Sequence, residues 1–408
     1  MTWRLAREPQ TLFGLGGLPS WLVAREVHTV SLWTDPRATA SARVETLLRR
    51  RGLDVDRVPR GPGEPSLAWL DAALARSAPD AVVAVGGGSV IDRAKLHAAC
   101  LAEPSTRRRL GQVERCGWTP LPPSGPRAVP LLAVPTTLGT GSEVSRFACY
   151  AAPDGKRLVQ GDALQPDLAV VDAAATSGLD ADQVTAGVVE VLARVIGPYI
   201  GTTGDVPVQD RVCEAVVRRL VELGDAASTH GRTDDALRLE VARLSARSHD
   251  QWLTEGREPF ASRTWFLATE LAGAAGCGKA EAVAALLPAM WEACSTSPVW
   301  GDARRVDRLW SAVRDGVPGL PTEPGAGLRA LLDRWGFRRA LPATEPAEEV
   351  SRRTHRRWGA GLPMLAGVQP EETTALLRGC LDPDGPPEDV PAATAAGGTP
   401  VLTPVGQV

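Results

Sequence analysis

Lysine is nearly absent from this chain. Of its 45 Lys and Arg residues only three are lysine, at Lys95, Lys156 and Lys279. The excess of Arg, Ala, Pro and Gly reads as a coding bias. Under that bias a retained lysine marks either chance or a place where the larger planar guanidinium does not substitute. Histidine is also scarce, with His28, His97, His230, His249 and His355 making up the five. Seven scattered cysteines with no C-x-x-C pair argue against a disulfide framework or a cysteine zinc site, and suit reduced thiols in the cytoplasm. No uncharged apolar run approaches the ~20 residues that span a bilayer. The opening "MTWRLAREPQ" carries no signal-peptide apolar region. A net charge of -3 leaves no basic footprint for nucleic acid. The expectation is a soluble cytoplasmic protein with neither nucleic acid nor membrane as partner. Its 408 residues, 44% hydrophobic and 23% charged, are enough for two domains with real cores.

Organisation follows from periodicity. Up to about residue 175, apolar strand runs such as "DAVVAVGGG", "RAVPLLAVPTT" and "PDLAVVDAA" alternate with helical segments such as "ATASARVETLLRRRG" and "IDRAKLHAACLAE". Continuous apolar strands between helices indicate a parallel sheet covered on both faces. After Asp172 the strand signals stop, and segments such as "DADQVTAGVVEVLARVIGPYI" and "TWFLATELAGAAG" have helical spacing. The reading is an α/β domain over 1–178, an all-helical domain over 179–385, and a disordered Pro-rich tail over 386–408.

Two stretches carry chemistry. In "AVVAVGGGSVIDRAK" a buried strand runs into Gly86, Gly87 and Gly88 and then a helix opening at Ser89. Glycines let a ligand approach the backbone, and the helix N-terminus offers free N–H groups to a phosphate. A plain tight turn would look the same. In "AVPTTLGTGSEVS" another strand ends in hydroxyls and glycines, at Thr136, Thr137, Gly139, Thr140, Gly141 and Ser142. A loop at a strand's carboxyl end faces the ligand crevice of an open α/β sheet, though an ordinary turn rich in Ser and Thr is the alternative.

Together, "GGGSVIDRAK" and "PTTLGTGSEVS", in this order and about 50 residues apart, resemble the iron-containing alcohol dehydrogenase family, in the superfamily of glycerol dehydrogenase and dehydroquinate synthase. "TLFGLGGLPSWL", "LWTDPRA" and "ALQPDLAVVDAAATSGLDADQVTAG" are similar to further family segments. The resemblance implies a dinucleotide domain, a helical domain and NAD or NADP in the cleft between them. It implies that Gly87, Gly88, Ser89 and Asp92 hold the pyrophosphate. Thr136, Thr137 and Thr140 would line the cofactor, and Lys156 would lie near a ribose. Asp35, after the second strand, resembles the acid that favours NAD by repelling a 2′-phosphate.

The chain departs from the family where a divalent metal would sit. The family's Asp and His, one helical turn apart, are matched by Glu190 and Arg194, and its hairpin ligands by Trp265 and Lys279, with Thr269 at a neighbouring non-ligand position. None of the five histidines matches a ligand. Arg stays protonated and Trp offers no lone pair, so no iron or zinc site is expected. Arg194 and Lys279 then address the place where the metal would act. A buried ammonium beside another cation has a depressed pKa and can serve as a base. Alternatively the two cations bind a carboxylate, or Glu190 and Arg194 form only a surface salt bridge.

The leading reading is a metal-independent, NAD(P)-dependent dehydrogenase acting on a secondary alcohol of a carboxylate-bearing small molecule or peptide. Arg194 would anchor the anion, and Lys279, or Thr269 through a water, would handle the hydroxyl proton. In lacking the metal ligands the chain resembles the dehydrogenase branch of daptide-type ribosomal peptide pathways, which oxidises a C-terminal threonine to a β-keto acid that decarboxylates. One alternative is a sugar-phosphate cyclase or lyase of the dehydroquinate synthase type, which "GVVEVLARVIG" resembles. Another is an inactive cofactor-binding scaffold. A homodimer or a pathway partner protein is compatible with all three. Trp252, Trp265 and Trp291 are candidates for the cleft wall, with core packing the commoner use of tryptophan.

Overall fold

The structure is a computed structural model and describes residues 9–59, 65–112, 116–125, 127–152, 155–258 and 260–382. The tail expected to be disordered lies outside the described residues.

Eleven strands occur among them: β1 (Gln10–Phe13), β2 (Thr29–Thr34), β3 (Asp54–Pro59), β4 (Ala81–Gly86), β5 (Trp118–Pro120), β6 (Leu131–Pro135), β7 (Phe147–Ala152), β8 (Gly155–Gln160), β9 (Leu168–Val171), β10 (Leu341–Pro342) and β11 (Leu381–Asp382). Six of these form a parallel sheet in the order β1-β9-β6-β4-β2-β3. β4 lies inside it, with Val83 opposite Leu32 on β2 and Leu132 on β6. Every residue of β4 is buried because both faces are covered. Alternate side chains go to different cores: Val83 and Val85 to one face, Val82 and Ala84 to the other. This period of two inside an unbroken apolar run is what a buried parallel strand requires.

A second, three-stranded sheet, β5-β8-β7, was not anticipated from the sequence. It is a β7–β8 antiparallel hairpin with β5 added parallel to β8. Lys95, on the helix α2 (Gly88–Ala102), ties this sheet to the main body. Its ammonium is fully buried and donates to the Ser145 carbonyl and hydroxyl, each at 2.9 Å, and to the Phe147 carbonyl at 2.8 Å. One of the three lysines is therefore structural. Before α2 comes α1 (Thr39–Arg50), following β2.

From residue 181 the chain is helix-rich. α3 (Ala181–Ile200) starts at a capping box in which Asp180 and Gln183 satisfy each other's backbone N–H groups. α4 (Pro207–His230) packs along it. α5 (Arg263–Ala275) and α6 (Lys279–Cys294) make the hairpin, with Gly276 at φ 64° closing α5 in the left-handed conformation. α7 (Ala347–Trp358) lies against α5. The all-helical expectation needs one amendment: β10 and β11 pair in parallel over two residues. No helix among the described residues is long and apolar enough to cross a membrane, and none of the seven cysteines forms a disulfide.

Candidate active site

The glycine loop and the hydroxyl loop touch. A Cβ on Gly87 would lie 3.1 Å from Thr137, and one on Gly88 would lie 3.1 Å from Thr140. Thr136 N–H donates to the Gly86 carbonyl at 3.1 Å. The glycines thus serve loop-on-loop packing as well as room for a ligand. The Asp35 amide donates to the Val85 carbonyl at 3.1 Å. Asp35, Gly87, Gly88, Ser89, Thr136, Thr137 and Thr140 therefore gather at the carboxyl ends of β2, β4 and β6, where an open α/β sheet binds its ligand. The first turn of α2 has no side-chain cap, which leaves its N–H groups to a phosphate.

Asp92 does a different job from the one expected. Its carboxylate accepts from the Ser142 hydroxyl at 2.6 Å and the Cys149 amide at 2.9 Å, so it braces the hydroxyl loop against β7 instead of facing the pyrophosphate. Burial raises its pKa, opposed by Lys95 and by these two hydrogen bonds.

α3 meets the hydroxyl loop through two glycines. Gly139 has φ 97°, and a Cβ there would lie 2.6 Å from the Gly187 carbonyl. One helical turn on, Glu190 and Arg194 are both half-buried, so neither belongs to a surface salt bridge. No ion pair between them is recorded among the described residues. Arg194 reaches past Glu190 to the loop, donating to the Gly139 carbonyl, to the Thr140 carbonyl at 2.9 Å and to the Ser248 hydroxyl at 2.9 Å. The expected anion anchor is thus a clamp: the carbonyls of a loop with two left-handed glycines need donors, and Arg194 supplies them.

Lys279 is the first residue of α6 and is half-buried. Its ammonium donates to the Thr269 hydroxyl, with the Trp265 carbonyl at 3.4 Å and the Trp265 ring centroid at 4.2 Å. Thr269 in turn donates to the Trp265 carbonyl at 2.7 Å. Burial pushes the Lys279 pKa down to about 8. Lys156 acts in the same direction, while Cys149, Glu190 and Glu270 oppose it. Burial raises the Glu190 pKa against the pull of Arg194, Lys279 and Lys156. Lys156 thus belongs to the same electrostatic cluster. Glu270 is committed elsewhere, to Arg353, Arg357 and Trp358.

The donor set does not fit a divalent metal. The positions that the resemblance matches to metal ligands, Glu190, Arg194, Trp265 and Lys279, present one carboxylate, a guanidinium bound to carbonyls, an indole and an ammonium bound to a hydroxyl. Among the described residues no group of three or more His, Cys, Asp or Glu could hold a metal ion.

Two residues escaped the sequence reading. His249 is enclosed against Gly141 (φ 59°), with its Nε2 3.3 Å from the Thr140 carbonyl. Burial and Arg194 hold it well below the usual histidine range, so it is neutral. Its partner is 109 residues away and no local pattern marks it. Cys149 on β7 lies close enough to act on Lys279. Two of the tryptophan candidates are not part of this site: Trp291 is buried against Trp310, and Trp252 is 47% exposed. Trp265 remains, beneath the ammonium.

Comparison with known proteins bears on the family and the fold. The model of the iron-containing alcohol dehydrogenase family matches residues 10–173. Those residues are similar to that family; the match covers less than half of the chain. The protein described as probable alcohol dehydrogenase EutG of Salmonella typhimurium is 33% identical over 47% of this chain and 49% of its own. The 4-hydroxybutyrate dehydrogenase of Cupriavidus necator is 32% identical over 46% of this chain and 48% of its own. The chain thus spans about half the length of the curated relatives it matches first. The crystal structure of NADH-dependent butanol dehydrogenase A from Thermotoga maritima superposes with a TM-score of 0.78 at 16% identity, covering 93% of this chain and 99% of that one. The fold of that dehydrogenase therefore extends over nearly the whole chain, while the family model matches residues 10–173.

Proposed function

We propose that the protein is a metal-independent, NAD(P)-dependent dehydrogenase that interconverts a secondary alcohol and a ketone on a carboxylate-bearing substrate. The observation that carries this reading is Lys279: an ammonium hydrogen-bonded to Thr269, with its pKa brought down to about 8, where the resemblance expects a metal ligand. A nicotinamide dinucleotide held on Gly87, Gly88, Ser89 and the hydroxyl loop supplies or accepts the hydride. In the oxidative direction neutral Lys279 takes the proton of the substrate hydroxyl. In the reductive direction its ammonium returns one to the carbonyl oxygen. Thr269 fixes the amine in place, and the Trp265 ring covers it from water. Glu190 offsets the mutual repulsion of Lys156 and Lys279.

The substrate carboxylate is assigned to Lys156, which lies in the same electrostatic cluster as Glu190 and Lys279. The family relative named for 4-hydroxybutyrate, itself a hydroxy acid, supports an anionic substrate. A β-hydroxy acid is the class proposed, a peptide ending in threonine included. Its oxidation gives a β-keto acid, which loses CO₂ without further catalysis.

The test follows nicotinamide reduction by metal-stripped protein on β-hydroxy acids and peptides ending in threonine, against the corresponding amides. Reduction confined to the free acids and undiminished by chelator supports the reading. No reduction with any of them, or sugar-phosphate turnover without net nicotinamide change, refutes it.

A further inference from the structure

The end of β2 carries an arginine that the motifs do not account for. Asp35 follows the strand and is joined to β4 one residue before the glycine loop, through its amide and the Val85 carbonyl. Arg37 stands two residues on and folds back over the acid. Its Nε donates to Asp35 Oδ1 at 3.2 Å and its Nη2 to Oδ2 at 3.0 Å, while its backbone N–H also donates to Oδ1 at 3.0 Å. Both carboxylate oxygens are thus engaged in fork geometry. The Asp35 side chain is 14% exposed and the Arg37 side chain 76%. The acid is covered and the cation is presented.

We infer that this pair reads the 2′-position of the adenosine ribose and that the chain takes NADP(H) in preference to NAD(H). The inference rests on the reading of the glycine loop as a dinucleotide site. An open acid at the end of this strand accepts from a ribose 2′-hydroxyl and repels a 2′-phosphate, whereas a nearby arginine accommodates the phosphate. Here both are present and the geometry decides between them. Asp35 spends its charge on Arg37, and a phosphate arriving from solvent meets the guanidinium first. The guanidinium is held by the pair, so little side-chain freedom is lost on binding. The first turn of α1, entered directly from this loop, contains no acidic residue to oppose a phosphate. Glu45, further along α1, is taken by Arg49 and Arg57. The preference for NAD that Asp35 alone suggests is therefore reversed.

The test is equilibrium binding of NADPH and NADH to the full chain, read by energy transfer from tryptophan, so that no substrate or turnover is needed. NADPH binds at least about tenfold tighter than NADH, roughly 1.4 kcal/mol. 2′-AMP competes better than 5′-AMP, and Arg37→Ala, which opens the Asp35 carboxylate to a ribose 2′-hydroxyl, weakens NADPH binding and removes or reverses the preference. Arg37→Lys keeps the charge, loses the fork and gives an intermediate ratio. NADH binding as tightly as NADPH, or an Arg37→Ala variant with the wild-type ratio, overturns the inference and leaves the dinucleotide site standing. Failure of both dinucleotides to bind overturns the two together.

Discussion

Replacing Lys279 with methionine should raise stability while abolishing turnover. Met keeps the length of the stem without the charge. The folded-state pKa of about 8, against an ordinary value of 10.5, disfavours the ammonium in the fold by about 3 kcal/mol at neutral pH. Against this stand the contact with the Trp265 ring and the hydrogen bond to Thr269, about 1 kcal/mol together at a half-buried position. Thr269 keeps its own acceptor at the Trp265 carbonyl, so no buried donor is orphaned. The net expectation is a gain of about 2 kcal/mol at pH 7. The sign has a definite pH course. A depressed lysine pKa destabilises the fold fully below the folded value and not at all above the unfolded one. Wild-type stability therefore rises between pH about 8 and 10.5, and the advantage of the variant fades over that window. Urea unfolding of both proteins from pH 7 upward measures this directly. A Lys279→Met variant less stable than wild type at pH 7, or one whose difference does not change with pH, would refute the electrostatic reasoning.

The same group sets the pH profile of catalysis. Alcohol oxidation should rise with pH and level off above about 8, and ketone reduction should fall over the same range. Arg194→Met removes the donors to Gly139, Thr140 and Ser248 and should lower stability by about 2–4 kcal/mol, raising the apparent Kd for dinucleotide more than it lowers kcat. Calorimetry and nucleotide titration check it. Gly139→Ala meets both a left-handed φ of 97° and the Gly187 carbonyl, and should cost about 2 kcal/mol or more, visible as a lower thermal midpoint. Asp92→Asn should loosen β7 and the hydroxyl loop, read as faster amide exchange at Cys149, with no loss of phosphate contact.

How much was legible varied from element to element. β4 was readable because its six residues are buried on both faces, which only an unbroken apolar run satisfies. The hairpin of β7 and β8 was not, because "GKRLVQ" sets two adjacent charged residues before an adjacent apolar pair and so shows no period of two. The i, i+4 spacing correctly placed Glu190 and Arg194 on one helix face, but spacing says nothing of reach, and Arg194 reaches the loop. Asp92 sits within a nucleotide motif yet faces inward, a matter of helix phase that the motif does not encode. His249 and Cys149 came to the site through tertiary contacts alone. Lys279 was legible because lysine is so rare here that its position against the family pattern stood out.

The most direct test of the account is turnover by protein stripped of metal and assayed for residual iron and zinc, with wild type and Lys279→Met side by side on a β-hydroxy acid. The account expects an undiminished rate in the stripped wild type and none in the variant, with dinucleotide affinity equal in both. A rate that vanishes on stripping and returns in proportion to added metal, or a Lys279→Met variant that turns over normally, would contradict it.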